Sequence, residues 1–378
     1  QIDGTYVRTL PGHRAVIRGV AVGANGHFAA SASDDGTVRL WRRHRYLSRV
    51  LTGHRDTIWN IAASPDGQTI ASVAGTDGLI LWRNFVPTVT LAMKKRGVGF
   101  EATGNTLVTS GFSDLHRFPI DQLQHQSPVP LWQRTFNAGL TFTVVASPPS
   151  PGGPNPVDPY LATGSDDGTI RIWTPEGDLK HSFAAHRSRI WQLAISPDGQ
   201  RLASASEDGS VKLWQPNGRH LATLVQQRGP FWGVAISPDG RQVAAASLDD
   251  TLHLWRLSDG HHQPIPAQSG GLTRVGFSPD GQTIATGGID TTIKLWTREG
   301  QLQNTLPGHH GLITSLAFDP KGRYLYSGSD DSQIMVWDLP LIASLNPMDY
   351  ACDWVRDYLK TSQLVGPGEV NLCPEATD

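Results

Sequence analysis

Histidine, serine and aspartate recur together in this chain at similar distances: His13, Ser33 and Asp35; His186, Ser206 and Asp208; His309, Ser329 and Asp331. These are the residue types of nucleophilic hydrolysis, in which a histidine takes the serine proton and a carboxylate orients the ring. Recurrence argues against that chemistry, because a catalytic site needs one special geometry and these sets repeat. They read as scaffold, and no catalytic residue is assigned. Histidine also occurs in pairs, His261-His262 and His309-His310, but nothing nearby supplies the remaining ligands of a closed zinc site. No GxxxxGK(S/T) phosphate loop occurs, so a nucleotide-driven switch would lie outside these residues. Neither metal nor other cofactor is expected.

Composition narrows the partners. Over 378 residues, 32 Lys and Arg nearly balance 34 Asp and Glu, so no net field draws the surface toward nucleic acid or anionic lipid. The two cysteines, Cys352 and Cys373, exclude a disulfide framework across the fold and suit a reducing compartment, read as cytoplasm. There is no apolar run of about 18 residues for a membrane span. The start QIDGTYVRTL has no signal-peptide core. Its first residue is Gln rather than Met, which fits a piece of a longer protein.

The elements that must carry these residues follow from a repeat. Tryptophans close strand-like runs at Trp41, Trp82, Trp173, Trp214, Trp255, Trp296 and Trp337, with five neighbouring pairs 41 residues apart and one gap of 91. The gap hides a degenerate unit, LVTSGFSDLHRFPI (107–120), with Phe118 in the tryptophan's place and PPSPGGPNPVDP (148–159) as excess length. Within a unit, as in RIWQLAI, SPDGQ, RLASAS, EDGS, VKLW, PNGR and HLATLV (189–225), alternating apolar runs are separated by turn residues. Four antiparallel strands per unit bury too little alone, so consecutive units must stack around an axis. The class is all-β: a β-propeller of eight four-stranded blades, with seven as the alternative.

The GH pairs at Gly12-His13, Gly53-His54 and Gly308-His309, the SPDG turns at 64, 196, 237 and 278, and DDGTVRLW with its variants resemble WD-repeat propellers over about residues 4–338. The resemblance implies a buried hydrogen-bonded set of His, Ser, Asp and Trp in each blade. Matching sets are His13, Ser33, Asp35 and Trp41; His186, Ser206, Asp208 and Trp214; and His309, Ser329, Asp331 and Trp337. The unit ending at Trp82 nearly matches, with Asp77 one residue closer to the tryptophan. Units with Gln227 and Gln268 in the histidine's place are expected to be less rigid. Residues 1–339 are expected to form the propeller, closed by the strand 4–10 in its last blade. Residues 340–378 are expected to form a C-terminal amphipathic helix and tail. There NPMDYACDWVRDYLKTS (346–362) has an N-cap at Asn346, Pro347 in the first turn and a stripe of Ala351, Trp354, Val355, Tyr358 and Leu359. This tail also resembles the ends of WD-repeat regions in large cyanobacterial multidomain proteins, where the propeller often follows a nucleotide-binding signalling module of NACHT or AAA type.

Aligned on SPDG, the units place Arg18, Trp59, Gly97, Phe142, Trp191, Trp232, Thr273 and Thr314 at one position near the start of the innermost strand. By resemblance this position opens on the narrow face around the central channel, where WD-repeat proteins commonly hold partners. Two residues earlier stand Thr57, Lys95, Arg189 and Leu312, and before the turn aspartates stand Asp34, Asp166, Glu207 and Asp330. Aromatics rimmed by charge are what an interaction site needs. Filling of the funnel between blades is the competing reading of the tryptophans, and a ring edge of Trp59, Trp191 and Trp232 at the surface separates the two.

Two functions are carried forward. The first is a noncatalytic protein-interaction scaffold that binds a protein or peptide. It would be the C-terminal sensor region of a larger signalling protein, with an upstream domain in the same polypeptide. The second is a propeller enzyme or small-ligand binder using the central channel, which would need convergent acids, histidines or metal ligands at one mouth.

Overall fold

A computed structural model describes residues 17–22, 28–33, 38–42, 48–75, 77–101, 103–124, 128–146, 158–227 and 229–344. The chain divides into two compact units, Gln1–Arg49 and Val50–Asp378. In the first, Ile17–Val22, Phe28–Ser33 and Val38–Arg42 form an antiparallel three-stranded sheet in that order.

The second unit is a ring of seven blades, each with its first strand innermost. Blade 1 is Ile58–Ala63, Thr69–Ala74, Gly78–Arg83 and Val86–Leu91. Blades 2 and 3 share one six-stranded sheet, because Thr106–Pro119 and Trp132–Ala146 are long, bent strands. Each serves two ladders: Leu107–Gly111 pairs with Lys95–Phe100 and Phe112–Arg117 with Trp132–Leu140, whereas Thr141–Ala146 pairs with Leu161–Ser165. The degenerate unit around Phe118 is therefore a full blade. Blade 4 starts with Ile190–Ile195, blade 5 with Phe231–Ile236, blade 6 with Leu272–Phe277 and blade 7 with Ile313–Phe318.

The ring holds seven blades, the alternative count, and not eight. Its closure leaves no room for another: Ile313–Phe318 packs directly on Ile58–Ala63, Ile61 N donates to Ser315 Oγ at 2.9 Å, and Thr314 Oγ1 donates to Ile58 O. The outer strand of blade 7 is Ser48–Leu51, beside Ile334–Asp338. Residues 4–10, expected in that place, lie outside the described residues. Leu51 joins Ile334, Val336 and Tyr326 of blade 7 and Ile58, Ile70 and Trp82 of blade 1 in one core cluster. The hydrophobic core thus lies between blades, where each fully buried large apolar side chain contributes roughly 1.5–3 kcal/mol. A short helix, Leu339–Ala343, follows, with Asp338 as N-cap and Ile342 buried. The helix expected over 346–362 and both cysteines lie outside the described residues.

The SPDG turns are held by their own side chains. Asp66 Oδ1 accepts from Ser64 Oγ at 2.5 Å and from Gln68 N at 2.9 Å, and Ser64 Oγ accepts from Thr69 N at 2.9 Å. The pattern repeats at Ser196–Asp198, Ser237–Asp239 and Ser278–Asp280, which is why these four residues mark the same corner in blades 1, 4, 5 and 6.

Candidate functional site

Each inner strand carries a β-bulge near its start. The ladder of blade 1 skips from Ile58 to Asn60, that of blade 3 from Thr141 to Thr143, that of blade 4 from Ile190 to Gln192, and that of blade 5 from Phe231 to Gly233. Blades 6 and 7 skip Thr273 and Thr314, and the sheet of the first unit skips Arg18. A bulged residue has no cross-strand neighbour, so its side chain is re-aimed out of the pleat. Trp59, Phe142, Trp191 and Trp232 all hold this place.

Blade 2 corrects the alignment. Its ladder pairs Ser110 with Gly97 and Gly111 with Lys95, so the skipped residue is Arg96 and not Gly97. The turn glycine gives the signal that SPDG could not. Gly67 (φ 71°) stands eight residues after Trp59, and Gly104 (φ 73°) eight after Arg96. Lys95, expected on the face, is 3% exposed, with Nζ 2.7 Å from Asp114 Oδ2.

Together Trp59, Arg96, Arg189, Trp191 and Trp232 form an arc over blades 1, 2, 4 and 5. The Arg96 guanidinium lies over the Trp59 ring, 3.8 Å from its centroid. Arg189 lies over Trp191 at 4.8 Å, and the Trp191 and Trp232 rings are 4.7 Å apart, tilted by 35°. Arginine over indole is a favourable cation–π arrangement. Arg189 Nε donates to Asp166. Burial lowers the Arg96 pKa, and neighbouring Arg189 lowers it further, while Asp166 and Asp56 partly restore it. Gly75 makes room for the Trp59 end: a Cβ there would lie 2.6 Å from Asp56 Oδ2 and 3.3 Å from Trp59 Nε1. Trp59, Trp191 and Trp232 are all half-buried.

Not every expected residue joins the arc. Glu207 is exposed beside it and accepts from Ser188 Oγ at 3.1 Å. Asp330 is exposed on blade 7, and no hydrogen bond or ion pair among the described residues links it to the arc. Thr273 and Thr314 are buried and cross-link blades, Thr273 Oγ1 donating to Gly287 O at 2.9 Å and Ile313 O at 2.5 Å. Thr57 and Leu312 are half-buried. Asp34 lies outside the described residues. For Arg18 and Phe142 the structure describes only the backbone, on Ile17–Val22 and Trp132–Ala146.

The His, Ser, Asp and Trp sets exist, with a different serine. Trp214 Nε1 donates to Ser204 Oγ at 2.9 Å, and Ser204 Oγ is 2.6 Å from His186 Nε2. His186 Nδ1 is 3.0 Å from Asp208 Oδ2. The carboxylate only accepts, so Nδ1 carries the proton. Burial lowers the His186 pKa, so the ring is neutral and Nε2 accepts from Ser204. The proton chain thus runs Trp214 to Ser204 to His186 to Asp208. Blade 7 repeats it with Trp337, Ser327, His309 and Asp331. Ser206 and Ser329, the expected members, instead accept from the backbone N–H of Asp208 and Asp331, both at 3.1 Å. In blade 1, Trp82 donates to Ser72 at 2.8 Å and His54 Nε2 is 2.7 Å from Ser72 Oγ. Asp77, displaced by one residue, accepts from Arg55 N, and His54 Nδ1 has no partner. In blade 5, Gln227 Nε2 donates to Ser247 Oγ and Asp249 Oδ2, each at 2.8 Å. His13 and Asp35 lie outside the described residues, while Ser33 and Trp41 fall on Phe28–Ser33 and Val38–Arg42. These sets are joints between strands, closed off from substrate.

A closed ring of four-stranded blades, with a polar joint in several of them, defines a β-propeller. The family pattern described as IFT122 first beta-propeller matches residues 155–344, and that described as WD domain, G-beta repeat matches residues 4–42 and 45–82. The chain belongs to the WD-repeat β-propeller family. Members are in general protein-interaction scaffolds that bind proteins or peptides and are typically noncatalytic. No curated protein matches the chain.

Proposed function

We propose that this propeller is a noncatalytic recognition scaffold whose main contact surface is the arc of Trp59, Arg96, Arg189, Trp191 and Trp232. The observation that carries the reading is the pairing of half-buried indoles, at the bulged positions of their blades, with the guanidinium groups of Arg96 and Arg189. Trp and Arg are the side chains that most often dominate binding energy. Held by bulges on rigid inner strands, they lose little conformational freedom on contact. Asp166 and Glu207 set the charge pattern around them. The partner is a protein or peptide, and the same reading places the ring as the sensor region of a larger cytoplasmic signalling protein.

The test is capture from a lysate of the source organism by the ring and by a Trp59→Ala, Trp191→Ala, Trp232→Ala variant of equal melting temperature. A partner retained by the first alone, whose binding slows amide exchange at the inner-strand starts of blades 1, 2, 4 and 5, is the expected result. Equal capture, or protection elsewhere, overturns the arc as the site. For the sensor reading, a nucleotide-binding module encoded ahead of Gln1 in the same frame is expected; an initiator methionine directly before Gln1 overturns it.

A further inference from the structure

Among the described residues lining the central channel, one is charged, and it forms no ion pair. A cavity of about 310 Å³ runs along the inner strands and is lined by Asn60, Gln192, Arg274 and Ser315 together with apolar residues. Three of the four polar side chains are spent on neighbouring blades. Gln192 Oε1 accepts from Val234 N at 3.3 Å, Ser315 Oγ accepts from Ile61 N at 2.9 Å, and Arg274 Nη1 donates to Trp232 O at 3.3 Å and Thr273 O at 2.8 Å. No ion pair forms at Arg274 among the described residues, and its Nε and Nη2 have no protein acceptor there. Gly233 occupies the matching position in blade 5, so no side chain from that strand covers the guanidinium.

We propose that the channel is a carboxylate-binding site and that Arg274 is its anchor. With Nη1 tied to two carbonyls, the remaining edge, Nε and Nη2, is the pair of parallel N–H groups that fits the two oxygens of a carboxylate. One positive charge in a narrow, protein-walled channel is balanced by one negative charge, whereas a phosphate dianion would leave a charge uncompensated. Burial alone pulls the Arg274 pKa down to about 10: the guanidinium stays protonated at neutral pH, and no carboxylate among the described residues offsets its desolvation. The cavity is near the lower end of small-ligand sites, so it takes a small free acid or a single acidic side chain of a bound peptide. Trp191 of the aromatic arc also lines this cavity, but the inference rests on Arg274 and survives if the arc binds nothing.

Calorimetric titration tests it with propionate, with an acetylated and amidated tripeptide carrying one Glu, and with phosphate. The ring is expected to bind at least one of the two carboxylate probes more tightly than phosphate. Propionate alone marks a small-acid site, and binding of the peptide marks side-chain insertion. Arg274→Gln should weaken binding at least tenfold, Arg274→Lys should weaken it less, and Lys180→Gln, at an exposed side chain away from the cavity, should leave it unchanged, each variant being checked for an unaltered melting temperature. Should Arg274→Gln not fold, Arg274→Lys and the preference over phosphate still decide. Absence of binding by both carboxylate probes, equal affinity in the Arg274 variants, or tighter binding of phosphate overturns the assignment.

Discussion

Trp255 stands ten residues after Ala245, the spacing at which five other blade tryptophans donate their indole N–H to a serine or threonine. Trp82, Trp173, Trp214, Trp296 and Trp337 reach Ser72, Thr163, Ser204, Thr286 and Ser327 at 2.8–3.0 Å. Trp255 Nε1 is buried with no partner, as is Nε2 of His253, whose ring is stacked 5.5 Å from the indole. Ala245→Ser restores the missing acceptor. Its own proton can turn to the carbonyl of His253, the cross-strand partner of position 245, just as the matching Lys212 carbonyl lies 3.5 Å from Ser204 Oγ. Satisfying a buried donor stabilises by about 1 kcal/mol, so the urea midpoint should rise at unchanged m-value. A lower midpoint would show that the hydroxyl is buried without taking the proton.

The two serines of blade 4 make a second prediction. Ser204→Ala leaves both Trp214 Nε1 and His186 Nε2 unpartnered in the core and should cost roughly 2–4 kcal/mol for the two groups. Ser206→Ala removes a turn contact to Asp208 N and donations to Ser188 O and Arg189 O and should cost about 1 kcal/mol. Equal losses in urea unfolding would contradict the chain described above.

The same pair shows what the sequence could disclose. Blade number was obscured because eight repeats of one pattern look alike, whereas closure depends on which strand pairs with Ile334–Asp338, a contact across nearly the whole chain. The serine was misplaced because both rows carry hydroxyls: Ser165, Ser206, Ser247 and Ser329 eight residues before tryptophan, Ser72, Thr163, Ser204, Thr286 and Ser327 ten before. Blade 1 held the clue, since it keeps His54 and Trp82 but has Ala74 at the nearer place. The row of Trp59 was legible from turn spacing, yet Arg96 was hidden by one residue because EATG does not read as SPDG. Arg274 carried no local signal, since its role comes from seven strands facing one axis.

Acid should weaken this ring through its histidines. Burial lowers His54 and His253 from 6.5 to about 4, and lowers His186 as well. Between about pH 4 and 6.5 the unfolded chain therefore binds protons that the folded chain excludes, and stability rises with pH. The contribution is complete above about pH 6.5 and falls by about 1.4 kcal/mol per pH unit for each such group as pH drops. Urea midpoints measured from pH 7 to 5 should decline. His253→Phe, which keeps a ring between Phe231 and Trp255, should remove one group's share of the slope, and an unchanged slope would exclude His253 as a contributor.

Blade 2 replaces the histidine joint with Lys95, Asp114 and His116. Lys95 Nζ is 2.7 Å from Asp114 Oδ2, and His116 Nε2 is 3.5 Å from the same oxygen. Burial lowers the His116 pKa and the Lys95 charge lowers it further, while Asp114 opposes both. Lys95→Met removes the repulsion and leaves the carboxylate unopposed, so His116 should titrate at higher pH. The shift is read from its ring proton resonance, assigned by loss of that signal in His116→Gln. The variant should also lose about 3 kcal/mol, the low end for a broken buried pair because Asp114 is 27% exposed. Lys95→Met with Asp114→Leu should recover most of that loss, since no buried charge then lacks its partner. A His116 titration that stays put or moves down in Lys95→Met would mean that the ring does not feel the pair, and that blade 2 is held by Phe118 and its apolar neighbours alone.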